Sequence, residues 1–451
     1  MDIFDKFDEE INDSPISKLH DTAKEEVKKA VCVSVYPQGG EGECVASLEE
    51  LRRLLDTAGA EVAAILTQMR NSPDSRFGIG SGKIEELSEI CKNTGAGLAV
   101  FDFELTPSQI REIEDAMETD VSVLDRSMLI LDIFATRAES AEGRLQVELA
   151  QLKYTAPRLM GKGKSMSRLG GGIGTRGPGE TKLETDRRHL KNRISQLEEE
   201  LRRVEKTRLT MRRARDRAGV PKCAIVGYTN AGKSTLLNEL TGAGILAEDK
   251  LFATLDPTTR QFELQSGTKL LLTDTVGFIR NLPHHLIKAF KSTLDEAVYA
   301  DALLIVADAS DEAVTAQLAV CVKLLEELGA NGKPTLFIFN KCDKLDDKDT
   351  VNQLRRIASD GGGDCVFISA LTGYGMDTLT LALEKLLSNG KKQVSIVLPQ
   401  AKAGLISALY EKGENVEVDY RADGIYVTLT ADEKLRGQFA QFITEGGNDE
   451  Q

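Results

Sequence analysis

The stretch Gly227-Tyr228-Thr229-Asn230-Ala231-Gly232-Lys233-Ser234, with Thr235 next, has the spacing GxxxxGK[ST]. It follows the apolar run 223–226 and opens the helical run 235–240, the strand, loop and helix order that a phosphate-binding loop needs. Glycines there let backbone N–H groups close around phosphate oxygens, at a helix N-terminus that already favours anions. Lys233 is expected to reach the β- and γ-phosphates, and Ser234 to hold Mg²⁺.

Three further segments fit the same chemistry. The apolar run 270–273 leads into Asp274-Thr275-Val276-Gly277, where a carboxylate can hold the magnesium's water shell and a glycine N–H can meet the γ-phosphate. The run 335–339 leads into Asn340-Lys341-Cys342-Asp343. An aspartate there can accept from guanine N1–H and the 2-amino group. Adenine offers neither donor in that place, so ATP is disfavoured. Asn340 and Lys341 would brace the base and the loop, and Ser369-Ala370-Leu371 can offer a backbone N–H to guanine O6. Between the phosphate loop and Asp274 lies Phe252-Ala253-Thr254-Leu255-Asp256, running on to Arg260. A threonine there can complete a magnesium shell only with the γ-phosphate present, which makes the segment a candidate switch. Thr254, Thr258 and Thr259 all compete for that role. Many GTPases carry a glutamine after the glycine of DxxG to orient the attacking water. Here that position is Phe278, which cannot hydrogen-bond to water, so slow intrinsic hydrolysis of GTP is expected.

The elements that must position these residues alternate apolar strands with helical patterns across 219–390, the pattern of an α/β domain with a largely parallel sheet. Residues 1–25 are polar and expected to be loose, and 26–135 read as a small N-terminal α/β subdomain. Across 136–218, Leu145, Leu149, Leu152, Ala156 and Leu159, then Leu183, Leu190, Ile194, Leu197, Leu201 and Val204, recur in heptad rhythm. Two amphipathic helices zipped as an antiparallel hairpin are expected. Their connection, 161–179, is glycine-rich and carries Lys162, Lys164, Arg168 and Arg176 with no acidic residue, a composition suited to RNA phosphates. Arginines continue down the second helix to Arg217, where pairing with 198–200 and Glu205 is the competing reading. Residues 391–451 read strand, helix, strand, strand, helix, a small α+β domain.

Bulk properties narrow the class. A length of 451 residues suits about three domains. A net charge of −14 argues against a general DNA-coating protein, though not against a local basic patch. The seven cysteines are scattered without a CxxC pair, which disfavours structural zinc and a disulfide framework. The acidic start MDIFDKFDEE does not read as a signal peptide, and no apolar run is long enough to span a membrane. A cytoplasmic location is therefore expected.

Taken together, the chain resembles the translational GTPases of the wider Era and Obg group, and within it the HflX family of ribosome-associated GTPases. Beyond the nucleotide motifs, the resemblance rests on the run 78–83 with 85–87, on Leu105-Thr106-Pro107-Ser108-Gln109, on Asp125-Arg126 and on 133–137. Its most specific stretch is 171–180, continuing to 183–188, and it covers about residues 30 to 390. The resemblance implies that Thr254 is the switch threonine on magnesium, so that Lys233, Thr254 and Gly277 form the catalytic set. It implies a hairpin that reaches into the large (50S) ribosomal subunit and its rRNA, and a role in splitting or rescuing stalled or idle ribosomes. In related GTPases an asparagine at the position of Asn230 helps hold K⁺ near the phosphates. A monomer off the ribosome is expected. A GTPase acting in ribosome assembly or signalling, and an RNA-binding scaffold with a structural nucleotide site, remain as alternatives.

Overall fold

The computed structural model describes residues 28–117, 120–159, 178–217, 219–242, 251–252, 255–345, 348–388, 392–421, 423–431 and 433–444. Ala253, Thr254, Lys162, Lys164, Arg168 and Arg176 lie outside them.

The first unit is a four-stranded parallel sheet in the order β2-β1-β3-β4, formed by β1 (Lys28–Tyr36), β2 (Ala60–Met69), β3 (Leu98–Phe101) and β4 (Ser122–Asp125). Helices α1 (Glu41–Thr57) and α4 (Arg126–Arg137) cover one face, and α2 (Ser81–Thr94) and α3 (Pro107–Ala116) the other. Local chemistry sets several boundaries. Thr106 caps α3 by accepting from the Gln109 N–H, while Gln109 accepts from the Thr106 N–H, with Pro107 opening the helix. Asp125 caps α4 by accepting from the Met128 N–H at 2.9 Å. Helix α1 starts at Glu41, earlier than the apolar pattern from Leu48 suggests. Its first turns bury Cys44 and Ser47 and place Glu41 and Glu43 at the positive end of the helix dipole.

Helices α5 (Ala141–Leu159) and α6 (Pro178–Arg217) form the antiparallel hairpin. Leu152, Ala156, Leu190 and Leu197 are buried along its seam, with Leu145, Leu149 and Ile194 packed beside them. Leu201 and Val204 are only half-buried. Ion pairs flank the seam: Arg193 with Glu148 at 2.6 Å, Lys153 with Glu198 at 2.7 Å and Arg208 with Glu142 at 3.2 Å. Arg203 pairs with Glu199 on its own helix. Of these pairs only Arg203–Glu199 follows the competing reading, while Arg193 and Arg208 pair across to the other helix.

The central sheet runs β10-β9-β8-β5-β7-β6, from β5 (Lys222–Gly227), β6 (Thr258–Glu263), β7 (Lys269–Asp274), β8 (Ala302–Asp308), β9 (Thr335–Asn340) and β10 (Asp364–Phe367). All its pairings are parallel except β6 on β7. Helix α7 (Lys233–Thr241) follows the phosphate loop, α8 (His284–Ala289) and α9 (Lys291–Tyr299) follow Asp274, and α10 (Val314–Glu327) follows β8. One face of the sheet has its own core. The other shares a continuous core with the N-terminal sheet, which includes Leu51, Leu54, Phe134, Val226, Phe278 and Phe290. The last unit is an antiparallel sheet in the order β12-β13-β11-β14, formed by β11 (Lys392–Leu398), β12 (Glu414–Arg421), β13 (Gly424–Ala431) and β14 (Ile443–Thr444). Among the described residues no helix is long and apolar enough to cross a membrane.

Candidate functional site

The phosphate loop, the DxxG segment and the base loop meet at the ends of β5, β7 and β9. Gly232 has φ 91°, and a Cβ there would lie 2.2 Å from Asn340 Nδ2, so only glycine fits both its conformation and its neighbour. That neighbour is structural. Asn340 Nδ2 donates to the Ala231 carbonyl and its Oδ1 accepts from the Ala370 N–H, both at 2.9 Å. One side chain therefore ties the phosphate loop, the base loop and the 369–371 segment together. Lys341 also has φ 63° and bonds Asp308 at 2.8 Å, while the Cys342 thiol donates to the Phe339 carbonyl. The Ser369 hydroxyl, aided by neighbouring lysines, holds the Asp343 carboxyl below its ordinary range, so an acceptor stands ready for guanine. Leu371 is 79% exposed beside it.

Lys233 is buried, and its ammonium donates to the carbonyls of Gly227 at 3.2 Å and Tyr228 at 2.8 Å. Burial pulls its proton affinity down, and the charge of Asp274 partly restores it. A Cβ on Gly277 would stand 2.7 Å from Thr229 Cγ2 and 3.1 Å from Lys233 Nζ, so the glycine keeps the DxxG backbone close to the lysine. The Ser234 hydroxyl donates to Asp274 at 2.7 Å. These are hard oxygen donors at the foot of a phosphate loop, and they fit Mg²⁺, which takes one or two protein oxygens and completes its shell with phosphate and water. Among the described residues no cluster of three or more His, Cys, Asp or Glu competes for a metal.

Other expected contacts are engaged elsewhere through their side chains. The Thr275 hydroxyl donates to the Ile225 carbonyl at 2.8 Å, and Val276 is in the core. Phe278 is 1% exposed, and its backbone pairs with Gly227 and Thr229 at 3.0 and 2.8 Å. Phe278 is thus a wall of the core that can meet nucleotide only through its main chain. Thr258 and Thr259 sit on β6, where the Thr259 hydroxyl bonds that of Thr273 at 3.0 Å. Thr254, the third competing threonine, lies outside the described residues.

Sequence reasoning missed a polar network that joins the site to the N-terminal unit. The Tyr228 phenol donates to Glu50 of α1 and accepts from the Arg280 N–H at 2.8 Å. Glu50 in turn bonds Arg126, which reaches Asp102 at 2.6 Å, and all three charged groups are buried. Burial pushes the Glu50 carboxyl up against the opposing pull of Arg126 and of the Tyr228 hydrogen bond. Beside the network a cavity of about 130 Å³ opens between Glu50, Arg53, Tyr228, Asn230 and Arg280. Asn230, at φ 61°, lines it. Only Asp125-Arg126 hinted at this network, and only as a motif without a role.

Comparison with known proteins agrees with the geometry. Residues 45–135 match the model described as GTP-binding GTPase N-terminal, residues 137–215 the GTP-binding GTPase middle region, and residues 222–341 the 50S ribosome-binding GTPase family. The chain is 47% identical to the GTPase HflX of Caldanaerobacter subterraneus over 92% of this chain and 94% of that one. It is 44% identical to the GTPase HflX of Escherichia coli over 85% and 88%. Among solved structures it is similar to a GTP-binding protein from the archaeon Sulfolobus solfataricus in complex with GDP, at 26% identity and TM-score 0.43, over 80% of this chain and 99% of that one. A phosphate loop, a magnesium-compatible serine and aspartate, an acceptor aspartate after β9 and relatives of this similarity over nearly the whole chain lead to one conclusion: the chain belongs to the HflX family of GTPases and hydrolyses GTP.

Proposed function

We propose that the chain binds the large (50S) ribosomal subunit through its hairpin and hydrolyses GTP there, dissociating or rescuing stalled or idle ribosomes. The observation that carries this reading is the hairpin. Helix α6 has 40 residues, about 60 Å of stiff rod at 1.5 Å per residue, zipped to α5 by an apolar seam. The segment that joins the two helices carries Lys162, Lys164, Arg168 and Arg176 and no acid. A rigid stalk ending in an all-cationic, glycine-rich connection suits insertion among RNA phosphates. The match to a family described as 50S ribosome-binding supports the same partner.

At the nucleotide, Lys233 neutralises the β- and γ-phosphates, the Gly277 N–H meets the γ-phosphate, and Asp343 reads guanine with Ala370 N–H on O6. Ser234 and Thr254 would hold Mg²⁺, with Asp274 supporting it, and Asn230 would support K⁺. The metal supplies charge neutralisation on the phosphates. Phe278 leaves the attacking water without a side-chain partner, so the ribosome completes the site and hydrolysis is slow without it. Turnover with purified 50S subunits should exceed turnover alone by at least about tenfold, well within what a supplied catalytic group contributes. Equal rates would sink the reading. Asp343→Asn should move preference from guanosine toward xanthosine triphosphate, and replacing K⁺ with Na⁺ should slow turnover.

A further inference from the structure

The segment around Thr254 is fastened to the parts of the chain that precede the GTPase sheet, on both sides of the threonine. On the near side, the Leu251 N–H donates to the Thr57 hydroxyl at the end of α1, at 3.2 Å. Phe252 is buried, and its ring meets Phe134 of α4 edge-on at 4.7 Å between centroids. Its φ of 55° is one that a bulky L-residue adopts only when its surroundings impose it. On the far side, Asp256 caps the start of α5. Its carboxylate accepts from the Glu139 N–H at 3.0 Å, from the Ser140 N–H at 2.7 Å and from the Ser140 hydroxyl. Ser140 Oγ in turn accepts from the Gly143 N–H at 2.8 Å. The fit is close, for a Cβ on Gly143 would stand 2.6 Å from Asp256 Oδ1.

We propose that Asp256 is a positioning residue that joins the nucleotide switch to the root of the hairpin. It lies two positions from Thr254, a reach of about 7 Å in extended chain. Any rearrangement that brings Thr254 onto magnesium is therefore felt at the carboxylate holding the first turn of α5. Helix α5 is one of the two rods of the hairpin, so the difference between GTP and GDP is converted into a difference in how the stalk is held at its base. Linkage makes the joint reciprocal: a partner that seizes the far end of the hairpin biases the switch by the same free energy. The inference rests on the reading of Thr254 as the magnesium ligand.

Amide hydrogen exchange at residues 138–145 of the full chain, loaded with Mg²⁺ and either GDP or a non-hydrolysable GTP analogue, tests it. The amides of Glu139 and Ser140 donate directly to Asp256 and report the bond itself. Their exchange should differ about fivefold between the two nucleotides, the size of a helix-cap contribution. Gly143→Ala, which wedges the carboxylate out, and the milder Ser140→Ala should each abolish that difference while keeping the nucleotide-dependent difference at residues 274–280. Equal exchange in both states of the wild-type chain, or a difference that survives in both variants, overturns the joint. Thr254→Ala separates the two readings. Loss of the difference there supports both, whereas its persistence overturns the Thr254 assignment and leaves the joint standing on the wild-type difference and its loss in Gly143→Ala.

Discussion

The loops that cradle phosphate and base differ from the 251–256 segment in what holds them. The cradle is braced from within the central sheet: Asn340 spans from the phosphate loop to Ala370, and Phe278 pairs by backbone with Gly227 and Thr229. The 251–256 segment is held from outside that sheet, by Thr57, Phe134 and Ser140. The base loop and the foot of the phosphate loop are thus braced within the sheet, while Tyr228 carries the phosphate loop's side-chain bond out to Glu50 of α1. Leu251, Phe252 and Asp256, which flank the proposed switch threonine, are instead fastened to the body that carries the hairpin. On the proposed switch role of Thr254, the response to the γ-phosphate would depend on these outside contacts, whereas losing a brace within the sheet would weaken every guanine nucleotide alike.

The largest effect is expected where the two regions are joined by buried charge. Arg126 is 2% exposed and stands between Glu50 and Asp102. Arg126→Met leaves two buried carboxylates without their cation, a change that costs about 3 kcal/mol when a buried pair loses one partner. Removing the cation raises the Glu50 carboxyl further, so the folded chain holds protons that the unfolded chain has released. Stability of the variant should therefore fall as pH rises above the unfolded carboxylate value of about 4.3, and the gap to wild type should close toward acid pH. Denaturation series at pH 5 and pH 8 check this. A constant gap would mean that the network does not anchor the junction through its charges.

Asn340→Ala probes the region braced from within the sheet. It removes two buried hydrogen bonds, about 2 kcal/mol together or roughly thirtyfold in affinity. GDP and a GTP analogue should weaken by the same factor, because both share the base and the phosphates that this brace serves. Titration with fluorescent nucleotides measures both. A loss confined to the GTP analogue would break the division between cradle and switch.

What was legible in the sequence follows the same division. The phosphate loop, DxxG and the base loop declare themselves because each is a short run whose geometry is set by its own neighbours, as Gly232 at φ 91° illustrates. The hairpin seam is legible because it repeats at helical spacing, whereas 105–109 stands out only through the family resemblance and its role as a helix cap is a finding of the structure. The anchors are not legible. Glu50 meets Tyr228 across 178 positions and Ser140 meets Asp256 across 116, and no periodicity marks such pairs. Strand β6 escaped because Thr258–Glu263 is an edge strand with mostly polar, half-exposed residues. The motifs alone therefore left Thr258 and Thr259 beside Thr254, and only the family resemblance chose among them.

The smallest effect concerns Asp132, which is buried on α4, two residues before the Phe134 that packs on Phe252. Burial, and then the charge of Asp125, push its carboxyl well above the ordinary range, with Gln151 of α5 only partly offsetting them. The folded chain keeps this proton at pH values where the unfolded chain has lost it, so Asp132 draws stability down as pH rises above about 3.9. Asparagine has the shape of the protonated acid and does not ionise. Asp132→Asn should match wild type near pH 4 and melt about 2 °C higher at pH 8, a shift worth roughly 1 kcal/mol or less in a chain of this size. Nucleotide affinity should stay as it is, because the residue belongs to the anchoring body and not to the cradle. A melting temperature lowered at every pH would show instead that the ionised carboxylate is needed where α4 meets α5, and the anchor would then be an electrostatic contact rather than an apolar one.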